Sequence, residues 1–515
     1  MSEIPPGTGD PEASRDQRPD TPARTLRDHD GVVHEVRDLD PVRARVRRPR
    51  RVAPTRYVAD RLIVRTAPDG AADDALVAAV RDAAGRRGLD VRVTEAPVAG
   101  AREAAARQGV ALHVDGDDVD VWDLLDEVAG GLEAPEGAVR LGLDHVLQGH
   151  RNNPGLGVPG ARLSAQYVGQ PPRRELESGV DPWVAADGTR RPVVAIVDTG
   201  VGRHPWFDAP SQVVPRGVLL DGAPIGTYDD HEPDGDAEPR STAEGTIGAY
   251  SGHGTFIAGV VHQVCPDAVI LPVRVSGPTG ESTEWDVARS LERLLDFHLR
   301  AIAGDDACAP VDVVVLPLGY YPEELESDDY EGVLRGVLRD LRASGVLVVV
   351  SAGNDGSTRP VFPAAWAPSV RRVPGGPVVP EHPSDLVAAY TPLLTVTASN
   401  PNGTLADFAN DGPWVTAVRP GSSVLSTMPT TFDGPQVPRS RSADGLREAV
   451  DPDDFRGGFA LWSGTSFSAP VLAGQLAGAL LAARADDSAS TSRVVAAWDA
   501  VVAVGDLYPG APPAS

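Results

Sequence analysis

The sequence predicts an α/β protein, a doubly wound and mostly parallel sheet preceded by a small α+β domain. Three observations carry this. Five continuous apolar runs between residues 192 and 400 suit strands buried on both faces of a parallel sheet. Segments with helical spacing alternate with these runs, the pattern of a doubly wound sheet. Ahead of them, residues 56–150 read as strand, helix, strand, strand, helix, strand.

Residues 1–55 are rich in Pro, Asp and Arg, lack hydrophobic periodicity, and are expected to form a disordered arm. Within it RARVRRPRR (43–51) holds six Arg in nine residues, a solvated linker, a processing site or an intramolecular contact for an acidic surface. The small domain, 56–150, has strands at 57–65, 89–95, 110–116 and 137–147 and helices at 72–88 and 119–131. That order is ferredoxin-like. Residues 151–190, with NNPGLGVPG and QPPRRELESG, have linker composition. The main domain, 191–485, has strand runs at 192–200, 268–277, 311–319, 345–354 and 393–400. Helices are expected at 253–264, 282–302 and 330–345, and a last one from near Ser466. Loops at 367–392 and 430–459 are long for a compact domain, and 486–515 reads as a C-terminal tail.

Composition excludes several classes. A chain of 515 residues exceeds one core at about 150 residues per domain. The formal net charge is −26, against general nucleic-acid binding. All 47 basic residues are Arg. Two cysteines, Cys265 and Cys308, make no disulfide framework; two free thiols are expected, with a single bridge left open. No signal peptide and no run of about 18 apolar residues is seen, so no membrane partner is expected. The expected location is the cytoplasm, with export by another route left open.

In a doubly wound sheet, chemistry gathers beyond the carboxyl ends of the strands. The first apolar run ends at Asp198 in VDTGVGRHP, and the fourth at Asn354 in SAGND. One helix starts at His253 in SGHGTFIAGVV, and another near Ser466 in LWSGTSFSAP. A carboxylate, an imidazole, an amide and a hydroxyl therefore sit at element ends. Serine is a weak nucleophile until a base takes its proton, and histidine titrates where it can take and return one. An aspartate fixes the imidazole tautomer, and an amide can donate to an oxyanion. Gly252 and Gly254 leave room for close approach to His253. Singly, Asp198 reads as a turn residue, His253 as a helix-start histidine, Asn354 as a left-handed turn residue and Ser466 as an N-cap. The set in this order favours catalysis. His204, His231 and His262 lack such a motif and are expected to be structural or solvated.

These motifs resemble the subtilisin-like serine peptidases. Asp198 in DTG, His253 in HGT, Asn354 in AGN and Ser466 in GTSFSAP match the family's four signatures in its order Asp, His, Ser. The likeness covers about residues 190–485. It implies catalytic roles for Asp198, His253 and Ser466 and an oxyanion role for Asn354. It also implies a substrate cleft edged by Pro317, Leu318 and Gly319 with Ser351, Ala352 and Gly353. A second edge is implied near Gly280. Pro317 departs from the family's serine and removes an N–H and a hydroxyl. Arg359 and Phe362 fall near the implied primary pocket.

The resemblance further implies that the small domain is a propeptide-like or inhibitor-like partner within the chain. Its end, LGLDHVLQGH (141–150), would lie in the cleft, and a processing site is expected between His150 and Gln170. No cofactor is required and no metal ligand is assigned. Calcium sites are common in the family, and YDDHEPDGDAEP (228–239) is a candidate that lacks regular ligand spacing. The expected function is a serine endopeptidase acting on peptides or proteins through an acyl-enzyme. The alternatives are a maturation peptidase for one partner and a non-catalytic binding protein on the same fold.

Overall fold

The structure is a computed structural model. It describes residues 24–149 and 163–507, apart from 29–30, 43, 45, 47–51, 66–73, 95–108, 132–140, 165–168, 209–211, 229–246, 324–331, 373–377, 383–385, 433–439, 443–444, 448–454, 456, 484–489 and 506. The calcium candidate beyond Tyr228, most of the processing stretch and much of the 430–459 loop lie outside the described residues.

The small domain is built from β3 (Thr55–Arg65), α1 (Asp74–Gly85), β4 (Asp90–Thr94), β5 (Gly109–Asp115), α2 (Val121–Gly131) and β6 (Leu141–Gly149). All pairings are antiparallel, with β3 between β6 and β5 and β4 beyond β5. The burial of β3 is nearly continuous because both faces are covered. Leu62 and Val64 pack with Val80, Leu112, Leu124 and Leu143 in the domain's own core. Ile63, between them, joins Ala111 and Leu147 in the core of the main domain. Strand alternation thus divides one sequence between two cores.

The reading of 1–55 as a disordered arm is corrected over part of its length. β1 (Arg24–Arg27) and β2 (Val33–Leu39) form an antiparallel pair, and β2 continues onto β3. In β2, His34, Val36 and Leu39 are buried while Val33 and Glu35 are exposed. The short alternation is masked in the sequence by charge, and the pairing surface is supplied by β3.

The main domain has a six-stranded parallel sheet in the order Val269–Arg274, Val193–Asp198, Val313–Leu316, Leu347–Ser351, Leu393–Ser399, Ala417–Pro420. Val193, Ala195 and Val197 face one core, with helices Glu284–Ile302 and Leu334–Ala343. Val194 and Ile196 face the other, with helices His253–Val264 and Thr465–Ala483. Helix Thr465–Ala483 is long and apolar enough to cross a membrane by composition, yet here it is largely buried against the sheet. The sixth strand was not anticipated. It has four residues and a partly exposed edge position.

The apolar run 311–319 is broken at Pro317. Val313–Leu316 stays in the parallel sheet, whereas Leu318–Gly319 pairs with β6. Proline supplies no N–H to a ladder and separates the two. The reading of 486–515 as a tail is also corrected. Ser490–Val504 is a helix whose Ala497, Ala500 and Val501 enter the second core with Leu507, while Val494 is buried as well. Arg493, also buried, donates to the Val311 carbonyl and to Asp312 at 2.8 and 3.0 Å.

Burying three large aliphatic side chains contributes about 5 kcal/mol, the scale of a domain's net stability. A chain ending at residue 489 is expected to melt about 10 °C or more below the full chain. An unchanged midpoint in a calorimetric scan would show that this helix is dispensable.

Candidate active site

Asp198 ends the strand Val193–Asp198, and His253 is the first residue of its helix. His253 Nδ1 lies 2.8 and 2.9 Å from the two Asp198 carboxylate oxygens. An ionised carboxylate only accepts, so Nδ1 carries the proton and Nε2 is left as the basic nitrogen. Thr199 Oγ1 donates to Asp198 Oδ1 at 3.1 Å and accepts from Gly254 N at 3.0 Å, tying strand end to helix start. A Cβ on Gly254 would strike the Gly200 carbonyl, so glycine is required for this approach. Gly252, at φ 81°, turns the chain into the helix.

Asn354 follows the strand Leu347–Ser351. Its Oδ1 accepts from Thr465 N at 2.8 Å and from Thr465 Oγ1 at 2.9 Å. A backbone N–H can only donate, so the amide orientation is determined and Nδ2 is the donor end. A Cβ on Gly464 would sit 3.3 Å from Asn354 Nδ2, which places that donor at the turn leading into Ser466. Thr465 Oγ1 also accepts from Gly353 N at 3.2 Å. Asn410 Oδ1 holds the next turn by accepting from Asp355 N and Ser357 N, both at 3.0 Å.

Ser466 is the second residue of helix Thr465–Ala483 and is buried. Its Oγ makes no hydrogen bond to a described residue, so the Ser466–His253 arm is not closed. Pro470 removes the N–H that would bond the Ser466 carbonyl in a regular helix. The His253 ring is held by Trp462 and Phe467, with centroids at 5.3 Å from each. The structure thus joins Asp198 to His253 and sets Asn354 beside the Ser466 turn.

The expected cleft edges are brought together by β6. Glu281–Thr283 pairs with Gln148, Leu147 and Val146 on one side. Leu318–Gly319 pairs with Gly149 and Gln148 on the other. Gly280 O accepts from Gly149 N at 3.0 Å. Ser351, Ala352 and Gly353 are buried behind this edge. A cavity of about 420 Å³ borders Gln148, Gly149, Gly319, Tyr321, Asp355 and Arg359. Arg359 stacks on Tyr321 at 4.6 Å, whereas Phe362 is buried and pairs its backbone with Tyr320.

Buried charge under β6 was not legible in the sequence. His145 Nδ1 meets Glu284 at 3.0 Å and Nε2 meets Glu323 at 2.8 Å, and the ring stacks on Tyr320 at 4.6 Å. The neighbouring Asp144 accepts from Trp285 N at 3.1 Å and from Arg61 at 2.6 Å. Burial alone would lower the His145 pKa, but Glu323 and Glu284 outweigh it and push it up to about 10. Among the described residues no group of three or more His, Cys, Asp or Glu is placed to hold a metal ion. Cys265 and Cys308 are both free and buried.

Residues 189–500 match the model of the Subtilase family. The chain belongs to this family. It is 25% identical over 257 residues to the thermophilic serine proteinase of Bacillus sp. (strain AK1), a match covering 48% of each chain. It is 25% identical over 288 residues to thermitase of Thermoactinomyces vulgaris, covering 52% of this chain and 82% of thermitase. It therefore spans about half the length of the first of these relatives. The solved structure of a cold adapted subtilisin-like serine proteinase aligns at 20% identity, over 59% of this chain and 79% of that one, with a TM-score of 0.35.

The raised His145 pKa has a definite sign. Its contribution to the joint is complete below about pH 6.5 and is lost as pH rises through about 10. In a Ser466→Ala background, the urea midpoint is expected to fall between pH 7 and pH 10, and His145→Gln to flatten that fall. Parallel pH profiles for the two proteins would remove His145 from the account.

Proposed function

We propose that this subtilase is a serine endopeptidase restrained by its own N-terminal domain. The observation that carries the reading is the Asp198–His253 pair set below a cleft whose two edges β6 already occupies. Ser466 Oγ would attack the scissile carbonyl as its proton passes to His253 Nε2. Asp198 stabilises the resulting imidazolium. Asn354 Nδ2 and the Ser466 N–H donate to the oxyanion, an arrangement worth about 3 kcal/mol of barrier per well-placed donor in this family. His253 returns the proton to the leaving amine, and water then releases the acyl group. These steps call on no cofactor.

β6 lies as an added antiparallel strand, the manner in which extended peptides bind sheet edges. A polypeptide substrate would take the same ladder once β6 leaves. The buried His145 and Asp144 contacts hold β6 down, which supports restraint rather than constant activity. A second reading, a binding protein on a peptidase fold, is favoured by the unbonded Ser466 Oγ.

Intact mass of the full chain and of Ser466→Ala, followed over hours at neutral pH, tests the first reading. Loss from the wild type alone of an N-terminal piece ending between His150 and Gln170 is expected. If both stay whole and a fluorophosphonate fails to label Ser466, the binding-protein reading holds. Thr465→Val removes the hydroxyl that steadies Asn354 and should slow fluorophosphonate labelling about tenfold. Equal labelling rates would take Thr465 out of the oxyanion site.

A further inference from the structure

We infer that Tyr250 makes this peptidase selective for glycine at the substrate position that Gly149 occupies, on the acyl side of the bond cut. The inference rests on reading β6 as lying the way a substrate lies. Gly149 is the last residue of β6, and its N–H donates to the Gly280 carbonyl at 3.0 Å. Tyr250 lies across it and donates its hydroxyl to the Gly149 carbonyl. A Cβ on Gly149 would fall 2.5 Å from Tyr250 Cε1 and 3.0 Å from Cδ1, closer than packed atoms stand.

The backbone does not ask for glycine at this point. Gly149 is not among the residues with positive φ, so any L residue could adopt its conformation. The three atoms nearest such a Cβ all belong to the Tyr250 ring, which excludes a side chain. Neighbouring positions of β6 do accept them, with Leu147 fully buried and Gln148 half-buried. Discrimination by Tyr250 therefore falls on one position of the bound strand.

The ring has little room to yield. Tyr250 is buried, its N–H donates to the Pro278 carbonyl at 2.9 Å, and its carbonyl accepts from His253 N at 3.0 Å. It also packs on Gly280, at φ 70°, where a Cβ would strike the ring. The His253 ring stands edge-on to it at 5.5 Å. Moving Tyr250 aside to admit a side chain would press on His253 or break the hydroxyl contact with the bound strand. Tyr250 thus links strand recognition to the position of the base. The class of substrate is a polypeptide segment with glycine at that position, and alanine there should lower kcat/KM about tenfold or more.

Two experiments on the full chain decide this. The first carries Ser466→Ala and reads amide exchange over Val146–Gly149 by mass spectrometry. Gly149→Ala should speed exchange about tenfold. Adding Tyr250→Ala should restore the parent rate, whereas adding Tyr250→Phe, which keeps the ring, should not. No effect of Gly149→Ala, or no rescue by Tyr250→Ala, overturns the inference whether or not the chain is a peptidase. The second profiles cleavage of a denatured protein mixture by the wild type and by Tyr250→Ala. Glycine should dominate one acyl-side position and lose its dominance in the variant. Cleavage without a glycine preference would also overturn the inference. Absence of any cleavage would count against the peptidase reading, and the exchange result would then stand on its own for Tyr250.

Discussion

A parallel sheet has one direction, and the site depends on it. All six strands of the main sheet run the same way, so Asp198 and the Ser351–Asn354 segment emerge on one side. Helices that return along the faces begin on that side as well, which brings in His253 and Ser466 at helix starts. Residues more than 50 positions apart meet without any local sequence bond between them. The apolar strands are the means of alignment, because Val and Ile side chains buried on both faces leave no freedom to slide a polar strand end inward.

The second constraint is that the two cleft edges carry unpaired backbone groups, and β6 satisfies both. Hydrogen bonds from Gly280 to Gly319 give this strand a register as definite as any in the core. Beneath it the small domain shares Ile63, Ala111 and Leu147 with the main core. The Arg61–Asp144 and His145–Glu284–Glu323 contacts then set each buried charge against an opposite one. Such pairs hold position more than they add stability, since desolvation offsets much of their attraction.

The buried histidines show how surroundings set their chemistry. His204, His262 and His298 are held below the usual range, at about 4, 3 and 3, by burial. They remain neutral packing groups, and His204 spans the Gly458 carbonyl and the Trp206 N–H at 3.0 and 3.1 Å. His145 is as deeply buried but lies between two carboxylates, which reverses the direction. His253 differs from all of these in facing a single carboxylate, through Nδ1. Histidine identity alone does not separate these roles. The number and placement of carboxylates does.

The sequence by itself determined the strands and helices of the main sheet and the identity of the four polar residues at their ends. Those signals are local, being apolar runs, helical spacing and motifs such as DTG, HGT and GTSFSAP. It also carried the order of the small domain. Short elements that lean on a neighbour were not legible, namely β1 and β2, the strand Ala417–Pro420 and the helix Ser490–Val504. Their patterns are brief or weakly periodic, and their stability comes from surfaces far away in the chain. Tertiary structure alone decided the carboxylate pair around His145, the orientation of the Asn354 amide and the meeting of Tyr250 with Gly149. Each depends on distances between residues from separate elements, and a sequence contains residue types but not those distances.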